Sequence, residues 1–226
     1  MKVKGLPIGQ GEVWHDRPQR TLALALGAAA LAPLAAWVLP AAGWLDPGRF
    51  GSWVELPLLA VIAAIALFAV LRRRALATRV GIGLVVGLVG ASSYDLVLLL
   101  GRQLAPGLAL PLAGMDAASW GVNVHHLLGT AAVWGLGYAV LAGKARWYFG
   151  VAWAALIWGV IALMAALLPE GARILPATPL VLLTLLAAHV MYGVAIGALN
   201  EVLQPAARGQ GKIIFLRDYQ QKIKQR

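Results

Sequence analysis

The chain has 226 residues, of which 61% are hydrophobic and 12% are charged, and its mean hydropathy is +0.78. A soluble domain carries about 25% charged residues, so this composition excludes an ordinary soluble fold and predicts a protein embedded in lipid. The absence of cysteine excludes disulfides, thiolate metal sites, Fe–S clusters and cysteine nucleophiles.

The net charge of +10 comes from basic residues that lie in the tails and in the connections between apolar runs. This placement is typical of a membrane protein. A nucleic-acid partner would instead need a folded basic face. We therefore predict the lipid bilayer, and no nucleic acid, as a partner.

Six apolar runs follow a polar arm (residues 1–20), and each run is about long enough to cross a bilayer as a helix. In the first run we expect a kink at Pro33, and in the third run a smooth glycine face for helix packing. Together the runs predict one transmembrane domain over residues 21–204. The predicted segments are residues 21–39, 54–71, 80–100, 122–141, 147–168 and 180–203.

The C-terminal residues 205–226 form a basic tail that follows the last segment. Ile213, Leu216, Tyr219 and Ile223 recur there at spacings of three and four, which is the pattern of an amphipathic helix. We expect residues 212–226 to contact anionic lipid of the inner leaflet or a partner protein.

The basic residues also predict the orientation of the chain. Six segments place both termini on one side, and all but three of the 19 lysines and arginines lie on that side. The three exceptions are Arg49, Arg102 and Arg173. Because positive loops remain in the cytoplasm, we predict an all-α, polytopic six-helix bundle with both termini cytoplasmic, in a bacterial or archaeal cytoplasmic membrane.

Ionisable side chains are costly in hydrocarbon, so those away from segment ends are candidate functional residues. Here they are Asp95, His125, His126 and His189. Helical rise places Asp95 and His125 in the outer third of the bilayer, which predicts that Asp95 meets His125 or His126. Adjacent helical residues point about 100° apart, so only one of the two histidines faces Asp95.

One interpretation of these residues is proton or solute translocation. Asp95 paired with an imidazole would change protonation near neutral pH, and Tyr94 lies beside it. Glu55, at the outer end of the second segment, would extend the relay. The alternative without chemistry is that Asp95 and a histidine satisfy each other in a packed bundle, and in the last segment Asn200 and Glu201 are interpreted as interfacial.

Two cofactor interpretations also stay open. A b-type haem would need His189 together with His125 or His126 as axial ligands, and a depth difference of about 5 to 7 Å between them weakens this reading. A divalent metal would be held by imidazole and the Asp95 carboxylate, without the close ligand spacing of a strong motif. No cofactor is therefore predicted.

The last three segments carry a recognisable order of features. A histidine pair opens VHHLLGTAAVWGLGY, tryptophan and glycine mark WAALIWGVIALM, and the last helix reads HVMYGVAIGALNEV. Over residues 122–203 this order resembles the YagU-type family of small bacterial inner-membrane proteins. That family has no settled activity, so the resemblance implies a multi-pass inner-membrane protein and nothing further.

The chain contains no Walker loop, GxSxG, HExxH, kinase or paired-carboxylate motif. We therefore expect a non-enzymatic subunit or accessory protein that packs with other membrane-protein subunits in a larger assembly. A small proton-coupled carrier is the alternative function, and a haem-bearing electron-transfer subunit is the third.

Overall fold

The computed structural model describes residues 17–31, 33–34, 38–39, 42–44, 56–72, 74–105, 132–143, 145–171 and 178–204. Within these residues the chain forms six helices and no strand. The helices are α1 (Arg17–Ala29), α2 (Leu56–Arg72), α3 (Arg74–Leu104), α4 (Ala132–Ala142), α5 (Tyr148–Leu167) and α6 (Pro179–Leu203).

Among the described residues, three helices are long and apolar enough to cross a membrane: α3 from Leu76, α5 and α6. The 20 residues of α5 span about 30 Å at the usual helical rise, which matches the hydrocarbon thickness of a bilayer. The apolar helices α2 and α4 are shorter. The predicted class, an all-helical protein embedded in a membrane, is confirmed, whereas the number of spans stays a prediction.

The first helix begins four residues before the predicted segment, at Arg17, and ends at Ala29. The proline nitrogen of Pro33 has no hydrogen to donate to the Ala29 carbonyl, so a regular helix cannot continue through it. The helix instead ends in a narrower turn of the 3₁₀ type, in which the Leu31 N–H donates to the carbonyl three residues earlier, that of Ala28, at 3.1 Å. The predicted arm before Arg17, residues 35–37 of the first segment and the tail all lie outside the described residues.

The predicted basic connection between the second and third segments is almost entirely helical. The helix α2 ends at Arg72 and α3 begins at Arg74, six residues before the predicted start. The stretch from Arg74 to Arg79 reads RALATR, which contains good helix formers and neither glycine nor proline. Arg79 therefore lies inside α3 and not in a loop.

The ends of α4 and α6 follow from local sequence signals. Gly143 has a φ of 56° directly after α4, the left-handed conformation that glycine adopts most easily at a helix C-terminus. The helix α6 begins at Pro179, and the Thr178 hydroxyl accepts a hydrogen bond from the Val181 N–H at 3.4 Å. Threonine as the N-cap and proline at the first helical position are both favoured there.

The helices pack side by side, with α3 between α4 and α6, α5 against α6, and α1 against α4. The helix α2 lies against α1 and α3. A β-carbon on Gly83 would lie 2.5 Å from the Leu136 Cα, and one on Gly193 would lie 2.6 Å from the Gly150 carbonyl oxygen. The helix backbones therefore touch, which confirms the predicted packing role of the glycines.

These contacts run in antiparallel register. Along α6, Gly193 faces Gly150 while the later Gly197 faces the earlier Trp147, and Gly27 of α1 faces Leu141 near the end of α4. The ends of α4 and α6 and the starts of α1, α3 and α5 therefore share one end of the bundle. We call this end, where a short connection joins α4 to α5, the turn end, and the other the far end.

Candidate functional site

A cluster of buried polar side chains holds the turn end together. Asn200 is fully buried, its amide nitrogen donates to the Gly143 carbonyl at 2.8 Å, and its amide oxygen accepts from Gln204 at 3.0 Å. Gln204 is 6% exposed. The interfacial position of Asn200 stays a prediction, and its amide binds α6 to the end of α4.

The Arg79 guanidinium lies at the C-terminus of α4. Its Nη1 donates to the Val140 carbonyl at 3.2 Å, and the side chain is 5% exposed. The last carbonyls of a helix lack helical partners and carry the negative end of the helix dipole, so a cation is favoured there. A β-carbon on Gly143 would lie 3.1 Å from the same nitrogen, and the glycine thus gives the guanidinium its space.

Glu201 binds the first turn of α5. Its carboxylate accepts a hydrogen bond from the Trp147 N–H at 2.9 Å, and the Glu201 side chain is exposed. A carboxylate at a helix N-terminus interacts favourably with the free N–H groups and the positive end of the dipole. Trp147, Tyr148 and Phe149 lie beside it, each about half exposed, as aromatic side chains at a membrane interface do.

A second polar cluster lies towards the far end, between α3 and α6. The rings of Tyr94 and His189 meet edge to face with centroids 5.0 Å apart, and His189 is 2% exposed. One turn along, Gly90 of α3 allows the close approach of Tyr192. Asp95 follows Tyr94 and is half-buried. The structure therefore brings together three predicted residues, Tyr94, Asp95 and His189, at one level of the bundle.

The hydrogen bond of His189 fixes how its ring is protonated. Nδ1 lies 2.8 Å from the Leu185 carbonyl oxygen, one turn earlier in α6. A carbonyl only accepts, so Nδ1 carries a hydrogen and Nε2 is the atom at which the neutral ring gains a proton. The same carbonyl bond orients the histidines that bind metals or haem through Nε2.

The other predicted site residues, Glu55, His125 and His126, lie outside the described residues. The meeting of Asp95 with His125 or His126 stays a prediction, as does a haem held between one of them and His189. Within the described ranges, no group of three or more His, Asp or Glu side chains is arranged to hold a metal ion. The metal interpretation also stays a prediction.

Sequence reasoning missed the role of Arg79, which was counted only among the basic residues that predict the cytoplasmic side of the protein. The signal was present, because a run without a helix breaker joins it to the apolar part of α3. No such signal distinguishes Asn200 from Glu201, since adjacent helical residues differ only in the direction that they face. That direction depends on how α6 packs against α4 and α5.

The fold and its polar clusters define the class as a membrane-embedded, all-helical protein whose helices pack through glycine. No family model, curated protein or solved structure matches the chain. The resemblance to the YagU-type family therefore stays a prediction.

Proposed function

We propose that this protein is a multi-pass subunit of a larger assembly in a bacterial or archaeal cytoplasmic membrane, without enzymatic activity of its own. The antiparallel register of α1, α3 and α5 with α4 and α6 supports a chain that crosses the bilayer repeatedly. The turn end, with Arg72 and Arg146 exposed, is the cytoplasmic end in this proposal, since basic residues remain on that side. Both termini then lie in the cytoplasm.

The observation that carries the subunit role is the outer face of α5, opposite its contact with α6. Ala152, Ala155 and Ala166 are exposed there, and a β-carbon on Gly159 would have no neighbour within 4 Å. Glycine destabilises a helix by about 1 kcal/mol relative to alanine, and a glycine that faces only lipid has no packing contact that would offset this cost. Small residues at spacings of three and four allow another helix to approach closely, so this face suits a partner helix.

The subunit role is tested by placing bulk on this face. We expect the protein, extracted from its own cells in mild detergent, to migrate in blue-native gels well above its 23.8 kDa chain mass. Gly159→Leu should shift most of it to the smaller species. Ala64→Leu is the matched control, because Ala64 is exposed on α2, away from this face. Migration of the unchanged protein as a single chain, or equal loss with both variants, would contradict the proposal.

A small proton-coupled carrier is the second candidate function. An ionisable group inside a membrane segment is expensive, and here His189 is buried against Tyr94 with Asp95 at the same level. The hydrogen bond of Nδ1 to Leu185 leaves Nε2 as the atom of His189 that would accept a proton in a relay. Carboxylate, phenol and imidazole together form the set of groups that a proton relay requires.

The carrier function is tested by proton flux in vesicles that contain the purified protein. Asp95→Asn removes a charge from the far-end cluster and should reduce flux at least about tenfold, a barrier change of about 1.4 kcal/mol. Glu201→Gln is the control and should leave flux unchanged, because its amide oxygen still accepts from Trp147. Equal, negligible effects of both variants on flux and on assembly would eliminate the far-end site.

A further inference from the structure

Two neighbouring helices carry the same exposed pattern, an arginine at the turn end with apolar side chains in line with it. In α2, which ends one residue before α3 begins, Phe68 and Val61 lie four and eleven residues before Arg72. All three are exposed, and Phe68 and Val61 are each 52% exposed. At about 100° per residue these intervals are close to whole turns, so the three side chains leave α2 within about 40° of one another.

The same pattern runs in the opposite direction along α1. Leu24 and Leu31 follow Arg20 at the same intervals of four and eleven residues, and Leu31 lies in the turn directly after the helix. All three are exposed, Leu24 by 50% and Leu31 by 40%. We call the two sets, Arg20 with its leucines and Arg72 with Phe68 and Val61, the arginine-headed stripes.

The packing of α1 against α2 places the two arginines at one level. Ala23 and Ala69, one helical turn from Arg20 and from Arg72, belong to the same buried cluster. The buried residues of α1 and α2, such as Ala23, Leu26 and Ala69, leave these helices on other faces than the stripes do. Both stripes therefore lie on the outer surface of the bundle.

The length of a stripe matches one leaflet of a bilayer. Eleven residues of helix rise by about 16 Å, and half of the hydrocarbon thickness is about 15 Å. With Arg72 at the membrane surface, Val61 then lies close to the centre of the bilayer. A molecule that covers the whole stripe has a polar end and an apolar part about as long as an acyl chain.

The sequence around the two arginines determines the charge of that polar end. Residues 1–20 and 72–79 together contain eight lysines and arginines and two acidic residues, and α1 and α2 contain no acidic residue. A surface of this charge attracts anions. The planar guanidinium group binds phosphate through two parallel hydrogen bonds, and an arginine at an anionic membrane surface is favourable.

We propose that each arginine-headed stripe binds an anionic phospholipid from the leaflet at the turn end. The phosphate lies on Arg20 or Arg72, and an acyl chain lies along the apolar side chains in line with it. The proposal is independent of the subunit role, because neither stripe belongs to α5. It is also independent of the predicted lipid contact of residues 212–226.

The experiment measures phospholipid binding to the purified full-length protein by native mass spectrometry. Phosphatidylglycerol is compared with phosphatidylcholine of the same acyl chains, and excess inorganic phosphate is added as a competitor. Arg20→Gln, Arg72→Gln and the double variant remove the charges. Arg102→Gln is the matched control, because Arg102 is exposed at the far end of α3 but Leu98, four residues before it, is buried. Circular dichroism gives the thermal midpoint of each variant without phospholipid.

We expect the unchanged protein to retain phosphatidylglycerol more tightly than phosphatidylcholine, with no displacement by phosphate. Each single variant should weaken one of two binding steps about fivefold, the contribution of one basic residue at an anionic surface, and the double variant should weaken both. Arg102→Gln should change neither step. The proposal is overturned if both lipids bind equally, if phosphate displaces the lipid, if Arg102→Gln has the same effect, or if the double variant binds normally or has a lower midpoint without phospholipid.

Discussion

At the turn end, helix backbones touch through glycine and polar side chains bond to a neighbouring helix, whereas towards the far end aromatic and imidazole rings separate α3 from α6. Gly193 lies against Gly150, and Asn200 donates to Gly143. Tyr94 and His189 instead meet through their rings. Contact between backbones depends on glycine, whereas contact between rings depends on the side chains that make it. The comparison teaches that different groups hold the helices together at the two ends: glycine and amide at the turn end, and aromatic and imidazole rings towards the far end.

The largest loss of stability is expected where a larger side chain replaces a glycine at a contact between two helix backbones. Gly193→Val should destabilise the protein by about 3 kcal/mol, because the new side chain meets the backbone of α5. Gly159→Val, on the open face of the same α5, should change stability by less than about 0.5 kcal/mol. Unfolding by sodium dodecyl sulfate in mixed micelles measures both. Similar losses would mean that the close approach at the turn end is not important for stability.

An intermediate effect is expected from the buried amide of α6. Asn200→Leu keeps the approximate size of the side chain but leaves the Gly143 carbonyl without its donor, which should cost about 2 kcal/mol in the same assay. Ser93→Ala is the control, because Ser93 bonds only within its own helix. A loss no greater than that of the control would show that the amide does not hold α4 to α6.

The smallest effect is expected towards the far end. Tyr94→Leu removes the edge-to-face contact with His189 and should cost about 1 kcal/mol, the usual contribution of an aromatic pair. The same unfolding assay measures it, with the exposed Leu96→Ala on α3 as the control for a general loss of side-chain volume. A cost above that of Asn200→Leu would reverse the comparison and make the ring contact the firmer of the two.

The extent to which sequence reasoning succeeded differs between the parts of the chain. The boundaries of α5 and α6 were predicted to within one residue, because each is an uninterrupted apolar run of the length that crosses a bilayer. The start of α3 was placed six residues too late, because the arginines before it were interpreted as a loop. Charge indicates which side of a membrane a residue prefers, but helix formation depends on backbone propensity, which arginine supports.

For the candidate site, the residue types were predictable and their pairing was not. Tyr94, Asp95 and His189 were identified from the cost of polar groups in hydrocarbon. Estimated depths placed His189 deeper than the outer third assigned to Asp95, yet its ring contacts Tyr94. Helical rise measured along separate segments does not include the register between α3 and α6, and Gly90 with Tyr192 determines that register.

The sequence by itself determined that this protein is helical and embedded in a membrane, because lipid requires apolar side chains and a backbone that satisfies its own hydrogen bonds. It also determined which residues are too polar for such a place. Only the tertiary structure decided which of them meet. Side chains leave a helix in all directions, and the packing of neighbouring helices determines which of these side chains face another helix. Arg79, Asn200 and His189 acquired their partners from that packing.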